Sequence, residues 1–292
     1  MPGNVASWST WIGRSETAHD VVTPTPFAAL AATLDGDPAR PPDATPLPPL
    51  WHWLYFLPLH RRSTLGPDGH AERGGFLPPV PLPRRMWAGS QLAFHAPLRI
   101  GDALTRTSTI ESVREKEGRS GPLVFVRVRH EIVVDGTAHA ALVEHHDIVY
   151  REAPRAGDPP AAAQPAPAQC AWSRTWVPDD VLLFRYSALT FNGHRIHYDR
   201  RYVTEVEGYP GLVVHGPLIA TLLLDLLRRE LPDATVTRFE FRAVRPLFDL
   251  APFEVCGTPH AGGSVHLWAR DTGGLLAMDA TATLARSDEG AP

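Results

Sequence analysis

Hydrophobic and polar residues alternate with a period of two in both halves of the chain. In the first half, residues 123–134 read LVFVRVRHEIVV, and the turn signal Asp135–Gly136 leads into a second apolar stretch, residues 138–150. The second half carries three such stretches, at residues 253–257, 265–270 and 275–284. This alternation is typical of strands with one buried face. The short Gly-containing turns between the stretches predict antiparallel meanders.

A second pattern, with apolar residues at helical spacing, begins after His215–Gly216. Residues 217–231 read PLIATLLLDLLRREL and are apolar on nearly every side. Pro217 suits the first helical position, because its missing N–H is no loss there, and Pro232 ends the helix. A helix of this kind must be surrounded by other structure. The sequence therefore predicts a sheet curled around a buried helix.

A Pro- and Ala-rich segment, residues 153–169, has almost nothing to bury. Such segments are extended and act as domain boundaries, so we divide the chain into residues 1–152, a linker and residues 170–292. The two halves look like distant copies, because Phe-x-Ala, Pro-Leu and Asp recur in one order in residues 92–102 and 239–249. Chance recurrence of common residue types is the alternative explanation.

Composition excludes several classes of protein. The 292 residues carry a formal net charge of −4, which provides no basic surface for nucleic acid. Cys170 and Cys256 are far apart and predict neither a metal site nor a redox pair, which favours a cytoplasmic location. The first twenty residues lack the apolar core of a signal peptide. No apolar run approaches the roughly 20 residues that span a membrane.

Titratable residues are concentrated in residues 186–202, YSALTFNGHRIHYDRRY, shortly before the buried helix. The N-terminus of that helix has unpaired N–H groups and a partial positive charge, which suit a carbonyl oxygen that gains negative charge. Spacing alone leaves other interpretations open. His197 could be a core histidine, Asn192 a turn former, and Asp199 part of a solvated face. His215 could simply bond to the backbone at the helix entry.

The segment resembles the signature of the MaoC-like hydratases and dehydratases of the hot-dog superfamily. That signature is an Asp, four residues, a His and then x-Asp. His197 and Asp199 match it, whereas Asn192 stands at the position of the first Asp. Residues 214–217 match the family's apolar run into the Gly that begins the central helix. The resemblance implies an α+β fold, a double hot-dog with antiparallel sheets each wrapped around a central helix.

Longer stretches resemble one branch of this family, the mesaconyl-C4-CoA (3-methylfumaryl-CoA) and itaconyl-CoA hydratase-like proteins. These stretches are residues 47–56, 74–89 and 189–199. The resemblance implies a hydro-lyase acting on an unsaturated acyl-CoA, such as a branched dicarboxylyl-CoA. It implies no cofactor, since CoA is part of the substrate, no metal, no nucleic-acid or membrane partner, and a monomer or homodimer. Alternatives are a 3-hydroxyacyl-thioester dehydratase of fatty-acid or polyketide metabolism, a non-catalytic acyl-CoA-binding protein and a thioesterase.

The resemblance also assigns catalytic roles. His197 becomes the principal acid/base, and the backbone N–H of Gly216 holds the oxygen of the developing enolate. Asn192 cannot take a proton, but its oxygen can orient the water by accepting a hydrogen bond. The remaining base work then falls to His197, with Asp199 or His194 assisting.

Substrate binding requires a cation for the free carboxylate, and Arg195, inside the catalytic segment, is the first choice. Arg84 and Arg85 are the second choice, for the carboxylate or for CoA phosphates. His194, Trp87 and His215 complete the substrate-binding candidates. The first half has no copy of Asn-x-x-x-x-His, because residues 27–34 are apolar there. We expect that half to provide the acyl pocket, with the aromatics of residues 51–87 lining it or covering the sheet edge.

Overall fold

The computed structural model describes residues 8–118, 121–153 and 163–285. Its strands are β1 Ser15–Val21, β2 Arg84–Phe94, β3 Ala103–Gly118, β4 Gly121–Val134, β5 Ala140–Arg151, β6 Trp172–Trp176, β7 Val236–Ala243, β8 Phe253–His260, β9 Ser264–Asp271 and β10 Leu276–Leu284. Its α-helices are α1 Pro24–Thr33, α2 Asp180–Leu189 and α3 Gly216–Glu230. The strands form a single sheet in the order β1-β3-β4-β5-β2-β7-β10-β9-β8-β6, and every neighbouring pair is antiparallel.

The periodic patterns predicted these elements closely. The five alternating stretches correspond to β4, β5, β8, β9 and β10, and the apolar helix corresponds to α3. The α+β class is confirmed. The edge strands β1 and β6 carry no comparable apolar alternation, because their residues are largely exposed or half-buried. These two strands could therefore not be predicted from periodicity.

The two halves join through β2 and β7 at the centre of the sheet. In the register, Leu92 lies opposite Phe239 and Gly89 opposite Arg242. The strands approach closely at Gly89, where an added Cβ would lie 2.2 Å from the carbonyl oxygen of Phe241. Each half therefore contributes five strands to one continuous sheet.

Equivalent hydrogen bonds recur on the two sides of this junction. The N–H of Leu47 donates to the carbonyl of Leu98 at 2.7 Å, and the N–H of Val214 donates to that of Leu247 at 2.9 Å. After Val214 comes α3, with 15 residues. After Leu47 comes only a four-residue 3₁₀ turn, Trp51–Leu54. In the first half, a single turn therefore stands where the second half has its central helix.

The core is built around α3. Leu218, Leu222 and Leu223 are fully buried there, against inward-facing side chains of β8 and β9 such as Val255 and Leu267. Burial of these leucines removes apolar surface from water and so stabilises the second half. Within the described ranges, no helix is long and apolar enough to cross a membrane.

The predicted linker lies partly outside the described residues, at 154–162. Its last residues follow the sheet, since Pro165 forms an isolated bridge with Leu275 and the carbonyl of Gln164 accepts a 2.8 Å hydrogen bond from the N–H of Leu276. The division of the chain into two domains at this segment stays a prediction.

Candidate active site

A cavity of about 1700 Å³ lies between the two halves. The second half contributes residues of the segment 191–198 and the start of α3. The first half contributes the 3₁₀ turn, the inner faces of β4 and β5, and the loop before β2. The cavity is therefore lined both by the start of α3 in the second half and by the part of the first half where a single 3₁₀ turn stands in place of that helix.

His197 lies at this cavity with one ring nitrogen committed. It ends a 3₁₀ turn, Arg195–His197, and only 7% of the residue is exposed. Its Nδ1–H donates to the carbonyl oxygen of Val213 at 2.7 Å, which leaves the lone pair on Nε2. Burial lowers the pKa of His197 to about 4. The imidazole is therefore neutral near pH 7, as a general base must be.

Gly216 and His215 form the entry of α3 next to this imidazole. Gly216 is the first residue of the helix and lines the cavity, and a Cβ added to it would meet nothing within 4 Å. His215 is fully buried and stacks on the ring of His197, with 3.7 Å between centroids and 18° between planes. A 2.8 Å hydrogen bond joins its Nε2 to the hydroxyl of Ser187. His215 supports His197 from behind and does not line the cavity, which corrects its predicted contact with substrate.

Asn192 and His194 line the cavity beside His197. The side-chain oxygen of Asn192 accepts a 3.0 Å hydrogen bond from the backbone N–H of His194, so Asn192 does form a turn. The His194 ring lies 5.4 Å from that of His197. Burial, together with the nearby imidazoles of His70 and His197, lowers the pKa of His194 to about 2. His194 is thus a neutral group of the cavity wall.

Arg195 and Asp199 are placed away from the cavity. The Nε and Nη2 atoms of Arg195 donate to Asp199 at 3.0 and 2.7 Å, and its Nη1 donates to the carbonyl of Pro67 at 2.9 Å. Its guanidinium also lies 4.1 Å from the centre of the Tyr202 ring. The tight turn points His197 inward and directs this i,i+4 pair outward. The geometry therefore corrects two predictions, the substrate-binding role of Arg195 and the catalytic role of Asp199.

The Arg84–Arg85 pair divides between two faces of β2. Arg84 forms an ion pair with Glu207 at 3.1 Å and stacks over Tyr209 at 4.9 Å, outside the cavity. Its predicted role with substrate is corrected accordingly. Arg85 lines the cavity, as does Trp87 on the same face. The predicted substrate-binding roles of Arg85 and Trp87 stay predictions.

The sequence did not indicate Asp68 and His70, which the structure brings against the segment 191–199. The Nδ1–H of His70 donates to Asp68 at 3.1 Å, and the His70 ring lies 4.0 Å from that of His194. Between them, Gly69 has φ +88, and an added Cβ would lie 1.9 Å from the carbonyl oxygen of Gly193. Ligand atoms of Asp68, His70 and His194 all lie within 4.8 Å of one another.

A second unpredicted group lies in the first half, where its members His52, Trp53 and Glu144 line the cavity. Glu144, 4% exposed, accepts hydrogen bonds from His52 Nε2 at 3.2 Å, Trp53 Nε1 at 3.1 Å and Ser90 Oγ at 2.8 Å. Burial raises its pKa, but the hydrogen bond from His52 and nearby imidazoles outweigh this and hold the pKa below its usual value. We call His52, Trp53, Ser90 and Glu144 the polar wall.

Comparison with known proteins shows where this architecture occurs. A profile of the family Hydroxyacyl-thioester dehydratase type 2 (Htd2) matches residues 50–249. The chain is 48% identical over 281 residues to "Mesaconyl-C(4)-CoA hydratase" of Chloroflexus aurantiacus, covering 96% of this chain and 98% of that protein. HtdX of Mycobacterium tuberculosis superposes with a TM-score of 0.65 and 20% identity, over 93% of this chain and 100% of HtdX. A MaoC-like dehydratase superposes with a TM-score of 0.69 and 15% identity, over 96% and 100% of the two chains.

These structural neighbours confirm the predicted hot-dog fold, and the sequence matches confirm the predicted family resemblance. One detail of the prediction differs from the structure. Among the residues that the structure describes, a full central helix occurs in the second half alone, since the first half has the 3₁₀ turn Trp51–Leu54 at the corresponding place.

Proposed function

Because the chain belongs to the Hydroxyacyl-thioester dehydratase type 2 family, we propose that it is a hydro-lyase that adds water to the double bond of an unsaturated acyl-CoA. The observation that carries this proposal is one arrangement in the cavity. His197, neutral and buried, presents its Nε2 beside the N-terminus of α3 at Gly216. A base and an oxyanion donor are the two groups that hydration of an enoyl thioester requires.

The chemistry follows from these two groups. Nε2 of His197 takes a proton from water, and the water oxygen forms a bond to C3 of the acyl group. The electrons of the C2–C3 double bond move toward the thioester carbonyl, and its oxygen becomes negatively charged. The N–H of Gly216 and the partial positive charge of the helix N-terminus stabilise that oxygen. His197 then returns the proton to C2 and the carbonyl re-forms. Asn192 helps to hold the attacking water.

The substrate we propose is a mono-thioester of a dicarboxylic acid, such as mesaconyl-C4-CoA. This compound appears in the name of the relative from Chloroflexus aurantiacus. One residue of the cavity lining supports this choice, since Arg85 lines the space available to the acyl group. A short acyl group ending in a carboxylate would find a cation there.

Arg85 is the residue we propose for that carboxylate. It lines the cavity, and among the described residues it forms no ion pair with a carboxylate. The positive charge of Arg85 acts on imidazoles from both halves of the chain, His194 and His146. Burial lowers the pKa of His194 and of His146, and Arg85 adds to the lowering at each. Arg85, His194 of the second half and His146 of the first half line the same cavity.

A substrate panel tests the function. Purified protein is given crotonyl-CoA, mesaconyl-C4-CoA and itaconyl-CoA, and the loss of enoyl-thioester absorbance is followed. We expect turnover of the dicarboxylyl thioesters, with a higher kcat/KM than for crotonyl-CoA. Binding of all three without turnover would support an acyl-CoA-binding protein instead, and preference for crotonyl-CoA would contradict the proposed substrate class.

Arg85→Leu tests the carboxylate site. We expect kcat/KM for mesaconyl-C4-CoA to fall roughly 30-fold, about 2 kcal/mol, because a charged hydrogen bond is lost. The value for crotonyl-CoA, which has no carboxylate, should change little. Arg195→Leu is the matched control, since Arg195 lies outside the cavity and should leave the ratio of the two values unchanged. An equal loss for both thioesters in Arg85→Leu would contradict the assignment.

A further inference from the structure

Proton transfer to His197 creates a charge for which the segment 191–199 offers no counter-ion. The imidazole is buried, so its protonated form is costly unless a negative group lies near. Asn192 is a neutral amide, and its oxygen is already bonded to the N–H of His194. Asp199 faces outward and is paired with Arg195. A carboxylate for this charge must therefore come from elsewhere in the chain.

Asp68 is placed to supply it from the first half. Its loop is held on the segment 191–199 by backbone contacts, because the N–H of Arg195 donates to the carbonyl of Asp68 at 2.9 Å. Gly69 and Gly193 pack so closely that a side chain at Gly69 would overlap the carbonyl of Gly193. The position of the carboxylate is therefore fixed relative to His197 by main-chain geometry.

The rings of His70 and His194 form a row of neighbouring imidazoles from Asp68 to His197. Asp68 accepts from Nδ1 of His70, the His70 ring lies 4.0 Å from the His194 ring, and the His194 ring lies 5.4 Å from the His197 ring. The charged groups that act on His70 are Asp68, Arg73 and Arg85. Arg73 is engaged with the carbonyls of Val80 and Pro83. Besides burial, the charge of His70 lowers the pKa of His197, and Asp68 is the negative group at the end of this row that offsets it.

We propose that the Asp68–His70 pair is a positioning element of the active site, in which the Asp68 carboxylate stabilises the protonated state of His197 through His70 and His194. The inference rests on the proposed hydration. A single base moves the proton in this mechanism. The proton that leaves water for Nε2 of His197 is the one that His197 returns to C2. Asp68 stays ionised throughout, and its charge lowers the energy of the step in which His197 is cationic.

Asp68→Asn is the first test, measured with the best thioester of the panel. We expect kcat to fall at least roughly tenfold with KM changed less than about twofold, because the transition state loses more than the ground state. The acid limb of the kcat–pH profile should move to lower pH, since removal of a negative charge lowers the pKa of His197. Asp180→Asn, at an exposed ion pair with Arg200, is the matched control and should change neither.

Rescue separates an electrostatic role from a merely structural one. Asn192 lines the cavity and bonds the N–H of His194 through an oxygen that a carboxylate would also offer. Asn192→Asp, added to Asp68→Asn, should therefore restore most of the lost kcat and return the acid limb toward its original pH. Loss of thermal stability in Asp68→Asn without rescue by Asn192→Asp would overturn the proposal in favour of a structural role.

Two further outcomes would also overturn it. One is unchanged kcat and pH profile in Asp68→Asn while the wild type turns over its substrate. The other is that the purified wild type binds one zinc ion per chain and that Asp68→Asn loses this binding. Asp68, His70 and His194 would then be a metal site. Failure of the proposed function would look different, because the wild type itself would then turn over none of the thioesters.

Discussion

The two halves of the molecule use the same strand arrangement, but equivalent positions of the sheet carry opposite kinds of side chain. Leu92 and Phe239 face each other at the junction, and the register on either side makes Glu144 of β5 the counterpart of Ala282 of β10. Ala282 is fully buried in the half that contains α3. Glu144 is also buried, but beside the 3₁₀ turn, where His52, Trp53 and Ser90 bond to it.

This difference shows how one fold provides both the catalytic and the acyl-binding surface. A 15-residue helix needs small, apolar residues beneath it and presents its N-terminus to the cavity. Where a four-residue turn replaces the helix, space opens and buried polar groups must satisfy one another. We expect the helix-bearing wall to control kcat, and the polar wall to control stability and substrate preference.

The largest effect should come from His197→Ala. We expect kcat to fall at least about 1000-fold, because the proposed base beside α3 is lost, while circular dichroism and thermal stability show a folded protein. His146→Ala is the matched control, because His146 is an imidazole of the same cavity on the first-half wall. It should alter KM and leave kcat within about tenfold. Comparable losses of kcat in both variants would break the distinction between the walls.

Glu144→Leu should give the next largest effect, and on stability. The donors of His52, Trp53 and Ser90 would lose their acceptor inside the protein, which should lower the free energy of unfolding by about 3 kcal/mol. Urea unfolding measures this. Glu131→Leu is the control, since its ion pair with Arg129 is partly exposed and should contribute less than about 1 kcal/mol. A loss below about 1 kcal/mol in Glu144→Leu would mean that the polar wall is not a structural unit.

Periodicity predicted the central strands and α3 because those elements are repetitive and buried on one or more faces. The family motif placed His197, Asn192 and Gly216 at one cavity. Neither periodicity nor the motif could show which way the turn 195–197 directs its side chains. The predictions that placed Arg195 and Asp199 at the cavity were therefore wrong.

The polar wall was missed for another reason. His52 and Glu144 are 92 residues apart, and only the folded sheet brings them together.

Gly216→Ala should give the smallest change in stability and is the sharpest test of the helix-bearing wall. The added methyl group meets nothing within 4 Å, and Ala favours helix over Gly by at most about 1 kcal/mol, so unfolding should be unchanged or slightly harder. The same methyl group would project into the cavity beside the N–H that holds the thioester oxygen, and we expect kcat/KM to fall roughly tenfold. Gly89→Ala is the opposite case, because its methyl group would strike the carbonyl of Phe241 at the junction of the halves and should destabilise the fold. If Gly216→Ala kept full activity, the oxyanion would have to be held by another group, and the helix-bearing wall would contribute only His197.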